Sequence, residues 1–504
     1  MKRLISKGDI NAFFGLMLDN VTNLVVLTGI LYGAFAFPMD VILKKMIPGT
    51  ALGVMFGDIV YTIMAYRLSR KTGNNTVTAM PLGLDTPSTV GIALTVLGPV
   101  YLQTHDANLT LYVGTAVMVL MGLMKVVFSF FGKWIQEKMP RAGLLGSIGG
   151  IGIALLGLFP MLDVFKLPIV GITSLGIIIY AFFAKGRLPF RIPPVLAAVA
   201  AGTLLFYLIP HTHGTITAGT SLGIYIPYPS LGFIKGMKLA LNYIPIALPF
   251  GLLTIIGGIN VTESARVAGD DYNTTQILFT EAIATILAGL CGGVAQSTPY
   301  IGHPAYKDMG AKAGYTLATG LFIGIGGMLG IISGIVQIIP PAAVSPILIF
   351  VGFEIAAQSI ETAEGDLSAV LLAFIPSIAD LVLIQMNSLL GSLGKGIADL
   401  SVDMANTLKA VTVLGNGFIL TAMLWGSAVS FLIHRKMKGF VLTMAATVVL
   451  TLFGIIHSVR PDGGIYLPDF SHFGYSDRIA IGYLIFAGIS MLSYWWVKRE
   501  ESNA

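Results

Sequence analysis

Pro81-Leu82-Gly83-Leu84-Asp85-Thr86-Pro87 interrupts an apolar run long enough to cross a bilayer, and Pro299-Tyr300-Ile301-Gly302-His303-Pro304 interrupts another in the second half of the chain. Proline lacks an amide proton and clashes with the preceding turn, so neither stretch continues as a helix. Within hydrocarbon such a break survives only where protein or a water-filled cavity satisfies the freed backbone groups. Each break carries a polar residue four positions after its first proline, Asp85 in one and His303 in the other. A second phrase recurs upstream of each, Asn20-Val21-Thr22-Asn23 and Asn260-Val261-Thr262-Glu263. Matched breaks and matched polar phrases in two halves point to a secondary transporter built from repeats around a midplane site.

Composition agrees. The chain has 504 residues, 55% hydrophobic and 11% charged, with a mean hydropathy of +0.83, whereas a soluble domain carries roughly 25% charged residues. It reads as an all-α polytopic membrane protein. Runs of near-bilayer length divide it into a first repeat at 1–210 holding spans 1–7, an extracytoplasmic linker at 211–239, a second repeat at 240–433 holding spans 8–14, and two additional C-terminal spans with a tail at 434–504. With the N-terminus in the cytoplasm, 20 of the 30 Lys and Arg fall on that side and Lys125 lies within a span. This positive-inside bias predicts both termini cytoplasmic in a multi-pass cell-membrane protein. Seven spans precede the second copy, so the repeat is inverted. Met1–Gly8 is too short and too polar for a cleavable signal, which predicts that the first apolar run stays as a span.

Several classes are excluded. The net charge of +5 is spread over many loops and forms no nucleic-acid patch. No HExxH pattern marks an enzyme, and no repeated selectivity-filter phrase marks a channel. Cys291, the single cysteine, reads as a packed small residue. His211 and His213 are too few to read as a metal site, and no metal or organic cofactor is expected.

The candidate site residues follow from cost. Asp19, Asp58, Asp85, Glu263, Glu281, Glu354 and Asp380 lie in or near apolar runs, where an ionised carboxylate costs a few kcal/mol unless paired or hydrated. Asp85 and Glu263 belong to the recurring phrases and are candidates to carry a coupling proton or sodium ion. Glu263 reads equally as a solvated helix end beside Arg266. Asp58 and Glu281 read as structural or gating groups. His303 is a third coupling candidate, because imidazole titrates near neutrality, or a structural hydrogen-bonding group. Asn20, Asn23 and Asn260 offer planar donors and acceptors suited to a neutral heterocycle, or they bond helices together. Pro87, Ser88 and Pro304 suit half-helix starts with Thr86, Ser88 or His303 near the cap, whose positive dipole end favours an anion or a polar ring.

The run from Gly293 to Ile301, with Ser297, Thr298 and Tyr300, resembles the serine- and threonine-rich segment of the nucleobase-ascorbate transporters (uracil/xanthine permeases), closest to their hypoxanthine/guanine permease branch. Ala313–Thr316, Pro341–Gly352 and Ala373–Asp380 extend the resemblance. It implies a fold of seven plus seven inverted spans with core and gate domains, broken spans 3 and 10 that begin as short strands, an elevator-type mechanism and a possible homodimer. It places substrate between the broken spans and span 8, adding Ser297, Thr298 and Tyr300 to the site. The pattern departs at Gly302, where that family has a carboxylate. Two cargoes remain open: a nucleobase taken up by cation-coupled symport, or an anion, as in the similarly folded sulfate transporters.

Overall fold

A computed structural model describes residues 5–503 apart from 187, 190, 191, 193, 210–221, 301, 362, 364, 462 and 469–472. His211, His213 and Ile301 therefore lie outside the described residues. Among those described, eight helices are long and apolar enough to cross a bilayer. Two further spans are bent, Gly314–Met328 with Ile331–Ile338 at 86° and Val402–Gly415 with Phe418–Ile433 at 72°. Shorter apolar helices lie at 168–183, 194–208, 274–290 and 437–452. The protein is a multi-pass membrane protein.

The chain forms two compact units. The first comprises residues 1–135, 156–241 and 250–351, and the second residues 136–155, 242–249 and 352–504.

The first unit contains both breaks. Its main elements are α1 (Gly8–Thr28), α2 (Ile47–Thr72), β1 (Leu82–Leu84), α3 (Thr86–Ile92), most of α4 (Ala107–Lys138), most of α5 (Ile244–Val267), α6 (Thr274–Leu290), β2 (Ser297–Pro299), α7 (His303–Asp308) and α8 (Gly314–Met328). Helix α2 starts with Pro48 in its first turn and stops at Gly73, whose φ of 70° closes the helix in the left-handed region. Asn273 caps α6 by accepting the Gln276 amide at 3.0 Å. Small residues draw the helices together, as is usual where lipid supplies no hydrophobic drive between them. A Cβ at Gly53 of α2 would stand 2.8 Å from the Ala284 carbonyl of α6, and one at Gly324 of α8 would stand 2.4 Å from Met55 Sδ. Tyr61, Leu82, Tyr272, Tyr306 and Tyr315 share one buried cluster.

The two breaks satisfy each other. β1 and β2 pair antiparallel with Leu82 opposite Pro299, Gly83 opposite Thr298 and Leu84 opposite Ser297. The pairing extends at both ends, because Asp85 N–H donates to Gln296 O at 3.0 Å and Tyr300 N–H to Pro81 O at 2.9 Å. This two-stranded ladder supplies the partners that irregular backbone at membrane depth demands.

In the second unit Arg141–Ile151, Leu367–Ser392 and Phe418–Ile433 pack closely: a Cβ at Gly143 would stand 2.5 Å from Met423 O. Ser430 Oγ donates to Asp366 Oδ2 at 2.5 Å, and His434 Nε2 lies 3.0 Å from Asp366 Oδ1. Met437–Leu452, a shorter apolar helix, packs on Tyr475–Asn503, which is long and apolar enough to cross a bilayer. Only 6% of the residues in the apolar window of the last helix are buried.

Candidate functional site

The strand pair is braced from two sides, and the first brace begins at Asp85. Extended at φ −76° and ψ 108°, Asp85 caps α3, its Oδ2 accepting the Ser88 amide at 2.9 Å, with Pro87 in the first turn. The same oxygen accepts from Gln296 Nε2 at 3.2 Å. Gln296 Oε1 in turn accepts from Lys125 Nζ of α4 at 3.1 Å. Lys125 also donates to Ser297 O at 2.9 Å and forms an ion pair with Glu281 Oε1 of α6 at 2.5 Å. A single ammonium thus links α4 and α6 to the entry of β2 and, through one amide, to the start of α3. Lys125, Glu281 and Gln296 are 0% exposed. Isolated, either charge would cost several kcal/mol to bury, so the pair persists only as a pair.

The second brace comes from α1 and α2. Asn20 Oδ1 accepts the Leu84 amide at 3.0 Å while its Nδ2 donates to Leu16 O at 2.9 Å. Asp58 Oδ1 accepts the Leu82 amide at 3.2 Å. Asn23 Nδ2 donates to Asp19 O at 3.1 Å. Several acceptors are left over: Asp19 Oδ2, Asn23 Oδ1, Asp58 Oδ2, Thr89 Oγ1 and Ser297 Oγ are buried without a hydrogen-bond partner among the described residues. Gly83 lies close to the first of them, since a Cβ there would stand 3.3 Å from Asp19 Oδ2 and 3.7 Å from Tyr300 Cδ2.

The remaining candidates divide. Thr86 is half-buried at the start of α3, and Thr298 pairs with Gly83. Tyr300 stacks on Tyr306, with centroids 6.2 Å apart. His303 turns to a different cluster: its Nε2 lies 3.2 Å from Thr78 O and 3.3 Å from Asp270 Oδ2. Asp270, in the loop after α5, also receives Lys307 Nζ at 2.6 Å and the Thr78 amide at 3.0 Å. Burial pulls that carboxyl upward, but bonds from His303, Lys307 and Thr78 hold it below the usual carboxylate range. Asn260 and Glu263 are exposed on α5, and Glu263 pairs with Arg266 one turn on. The structure thus gathers Asn20, Asp85, Thr86, Ser297, Thr298 and Tyr300 around the strand pair, bonds Asn23 within α1, and places His303, Asn260 and Glu263 apart from the ladder's own bonds.

Lys125 and Gln296 were not among the residues the sequence pointed to. The signal existed: Lys125 is a lone cation in an apolar run, where a charge is costly unless paired.

Comparison with solved structures gives the fold its context. The transmembrane domain of a cyanobacterium bicarbonate transporter, BicA, matches 76% of this chain and 96% of its own at 19% identity and a TM-score of 0.51. SLC26A9 matches 74% of this chain and 62% of its own at 13% identity and a TM-score of 0.52. The murine anion transporter Slc26a9 in its inward-facing state matches 77% of this chain and 67% of its own at 12% identity and a TM-score of 0.51. The fold is the one these anion transporters share. It is the inverted-repeat transporter fold of seven plus seven spans. No protein-family model and no curated protein matches the chain.

These matches correct the resemblance to nucleobase-ascorbate transporters, because two of these three structures are described as a bicarbonate transporter and an anion transporter and none of the three as a nucleobase permease. The reason is physical. Segments such as Gly293–Ile301 are rich in small, hydroxyl and helix-breaking residues because they build a strand pair and helix starts inside the bilayer. That backbone requirement belongs to the fold, whatever its cargo. Where the cargo chemistry would show, at Gly302, the chain departs from the nucleobase pattern.

Proposed function

We propose that this protein is a cation-coupled secondary transporter of a small anion, working by an elevator-type movement with both termini on the cytoplasmic side. The observation that carries the reading is Lys125. Among the described residues it is the only buried Lys or Arg, and it is bonded directly to the strand pair at Ser297 O and Gln296. A fixed cation beside two broken spans, with the α3 dipole directed at the same place, supplies positive potential where an anion needs it. The fold's solved examples, a bicarbonate transporter and an anion transporter, favour the same class.

Coupling follows from the surplus of carboxylates. Asp19, Asp58, Asp85 and Glu281 surround the ladder against one lysine, and a dehydrated anion could not join them without added positive charge. A proton or sodium ion supplies it. The carboxylates, not a cofactor, are the expected coupling groups.

A thermal-shift screen of purified protein against bicarbonate, sulfate, chloride, purines, pyrimidines and ascorbate tests the cargo, because a ligand of the folded state must raise its stability. The reading expects a shift with one of the anions that grows when pH falls or sodium is added. A shift with a neutral base and with no anion would overturn it.

A further inference from the structure

We propose that Glu281 is the proton carrier of this transporter, and that its protonation releases the charge of Lys125 toward the strand pair. The inference rests on the anion reading for its cargo but not for its proton chemistry.

The geometry sets Glu281 apart from the other carboxylate in the brace. Asp85 Oδ2 already accepts two hydrogen bonds, from the Ser88 amide and from Gln296 Nε2. Such bonds favour the ionised form. Glu281 Oε2 is buried without a hydrogen-bond donor among the described residues, facing Gly258 of α5, where a Cβ would stand 3.1 Å away. Glu281 is therefore kept ionised chiefly by the ion pair of Oε1 with Lys125, with a lesser contribution from the Thr254 hydroxyl of α5. From the helices packed on α6, the charged or titratable groups that face it are Lys125 of α4 and Tyr61 and Asp58 of α2, with Asp85 beyond Gln296. Tyr61 donates its hydroxyl to Ile277 O, one turn before Glu281. α5 brings only Gly258 and Thr254, and β2 brings no titratable group. The helix Gly232–Ala240 meets α6 only at the far end, near Leu290, where Ser230 N–H donates to the Leu290 carbonyl.

The brace itself is unbalanced. Lys125 contributes one positive charge, Asp85 and Glu281 two negative ones, and the start of α3 offsets about half a charge. One added proton brings the set to neutrality or slightly above it. In the step, a proton from water adds to a Glu281 carboxylate oxygen and gives the neutral acid. No other bond to a heavy atom forms or breaks. The ammonium keeps its three N–H groups, which Gln296 Oε1, Ser297 O and Thr285 Oγ1 accept at 3.1, 2.9 and 3.4 Å. Its charge, no longer matched by Glu281, now faces the ladder. An anion bound there restores neutrality, and when it leaves, the proton returns to water. Proton and anion thus favour each other's binding by linkage, with no direct contact between them.

The test is infrared difference spectroscopy of the full chain in lipid, wild type minus Glu281→Gln, across about pH 5 to 9. The glutamine is nearly isosteric and mimics the protonated acid, so the variant should fold. The proposal expects a protonated-carboxyl band that the variant lacks and that disappears as pH rises. Saturating bicarbonate, sulfate or chloride, whichever is transported, should raise the midpoint by about one pH unit or more, a tenfold gain in proton affinity. Lys125→Gln, measured the same way, should leave the Glu281 band present over the whole range. Glu281 ionised throughout in the wild type would overturn the inference, as would a midpoint that ignores an anion the protein demonstrably accumulates. The ligand-free titration needs no cargo, so it decides the proton chemistry even if the anion panel gives no uptake and the anion reading fails.

Discussion

The two breaks share a backbone and differ in chemistry. The first is capped by Asp85, tied through Gln296 to Lys125, and runs into a long helical stretch that continues from α3 through Ala93–Leu97 to Thr104. The second starts at Gly302, which has no side chain to cap with, and gives only the six residues of α7, whose Tyr306 stacks on Tyr300. An inverted repeat therefore preserves the way a span is broken while each half assigns its own polar groups. The first break is tied to a buried Lys–Glu pair, whereas the second is held by aromatic packing and by the bonds of His303 and Lys307 to Asp270.

The largest effect should come from breaking the charged brace. Lys125→Met leaves Glu281 and Asp85 buried without their cation, and we expect a loss of about 3–5 kcal/mol in denaturant unfolding, with part of it recovered in the double variant Lys125→Met, Glu281→Leu. The second break should respond to crowding instead. A Cβ at Gly302 would stand 2.8 Å from Tyr300 Cε1, so Gly302→Ala should cost about 1–3 kcal/mol. Gly83→Ala, its counterpart, meets Asp19 Oδ2 at 3.3 Å and should cost less in the same unfolding assay while weakening ligand-induced thermal shifts. Asp85→Ala removes the cap of α3 and should cost about 0.5–2 kcal/mol. A smaller effect depends on pH. The carboxyl of Asp270 is held below its usual range, so its stabilisation is fully present above about pH 4 and fades as pH falls through the lower folded value. Asp270→Asn should lower stability at neutral pH and flatten the acid limb of the stability-pH curve, so that variant and wild type converge as pH falls. Smallest of all, Glu263→Gln breaks an exposed one-turn pair with Arg266 and should leave the melting temperature within error of the wild type.

Much of the fold was legible in the sequence because proline and glycine act locally. Pro81, Pro87 and Pro304 mark the breaks wherever the chain goes, and span-length apolar runs declare the class. The pairing of β1 with β2 was not written locally, since a three-residue strand has no periodicity to read. The brace was harder still. Lys125, Glu281 and Gln296 sit on α4, on α6 and before β2, and nothing in their neighbours' spacing joins them. Recurrence drew attention to Glu263, in a phrase echoed at Asn23, while the carboxylate that the fold buries beside a cation is Glu281, which belongs to no repeated phrase. The cargo was the least legible part, because the breaks encode a backbone that nucleobase and anion carriers both need.

The most direct test of the central claim is uptake into proteoliposomes of radiolabelled bicarbonate, sulfate and chloride under an imposed inward proton or sodium gradient, with uracil and xanthine carried in parallel. The account predicts that at least one anion accumulates above its equilibrium level only while the gradient lasts, and that the bases neither accumulate nor compete. Gradient-driven accumulation of a base, with all three anions inert, would contradict it.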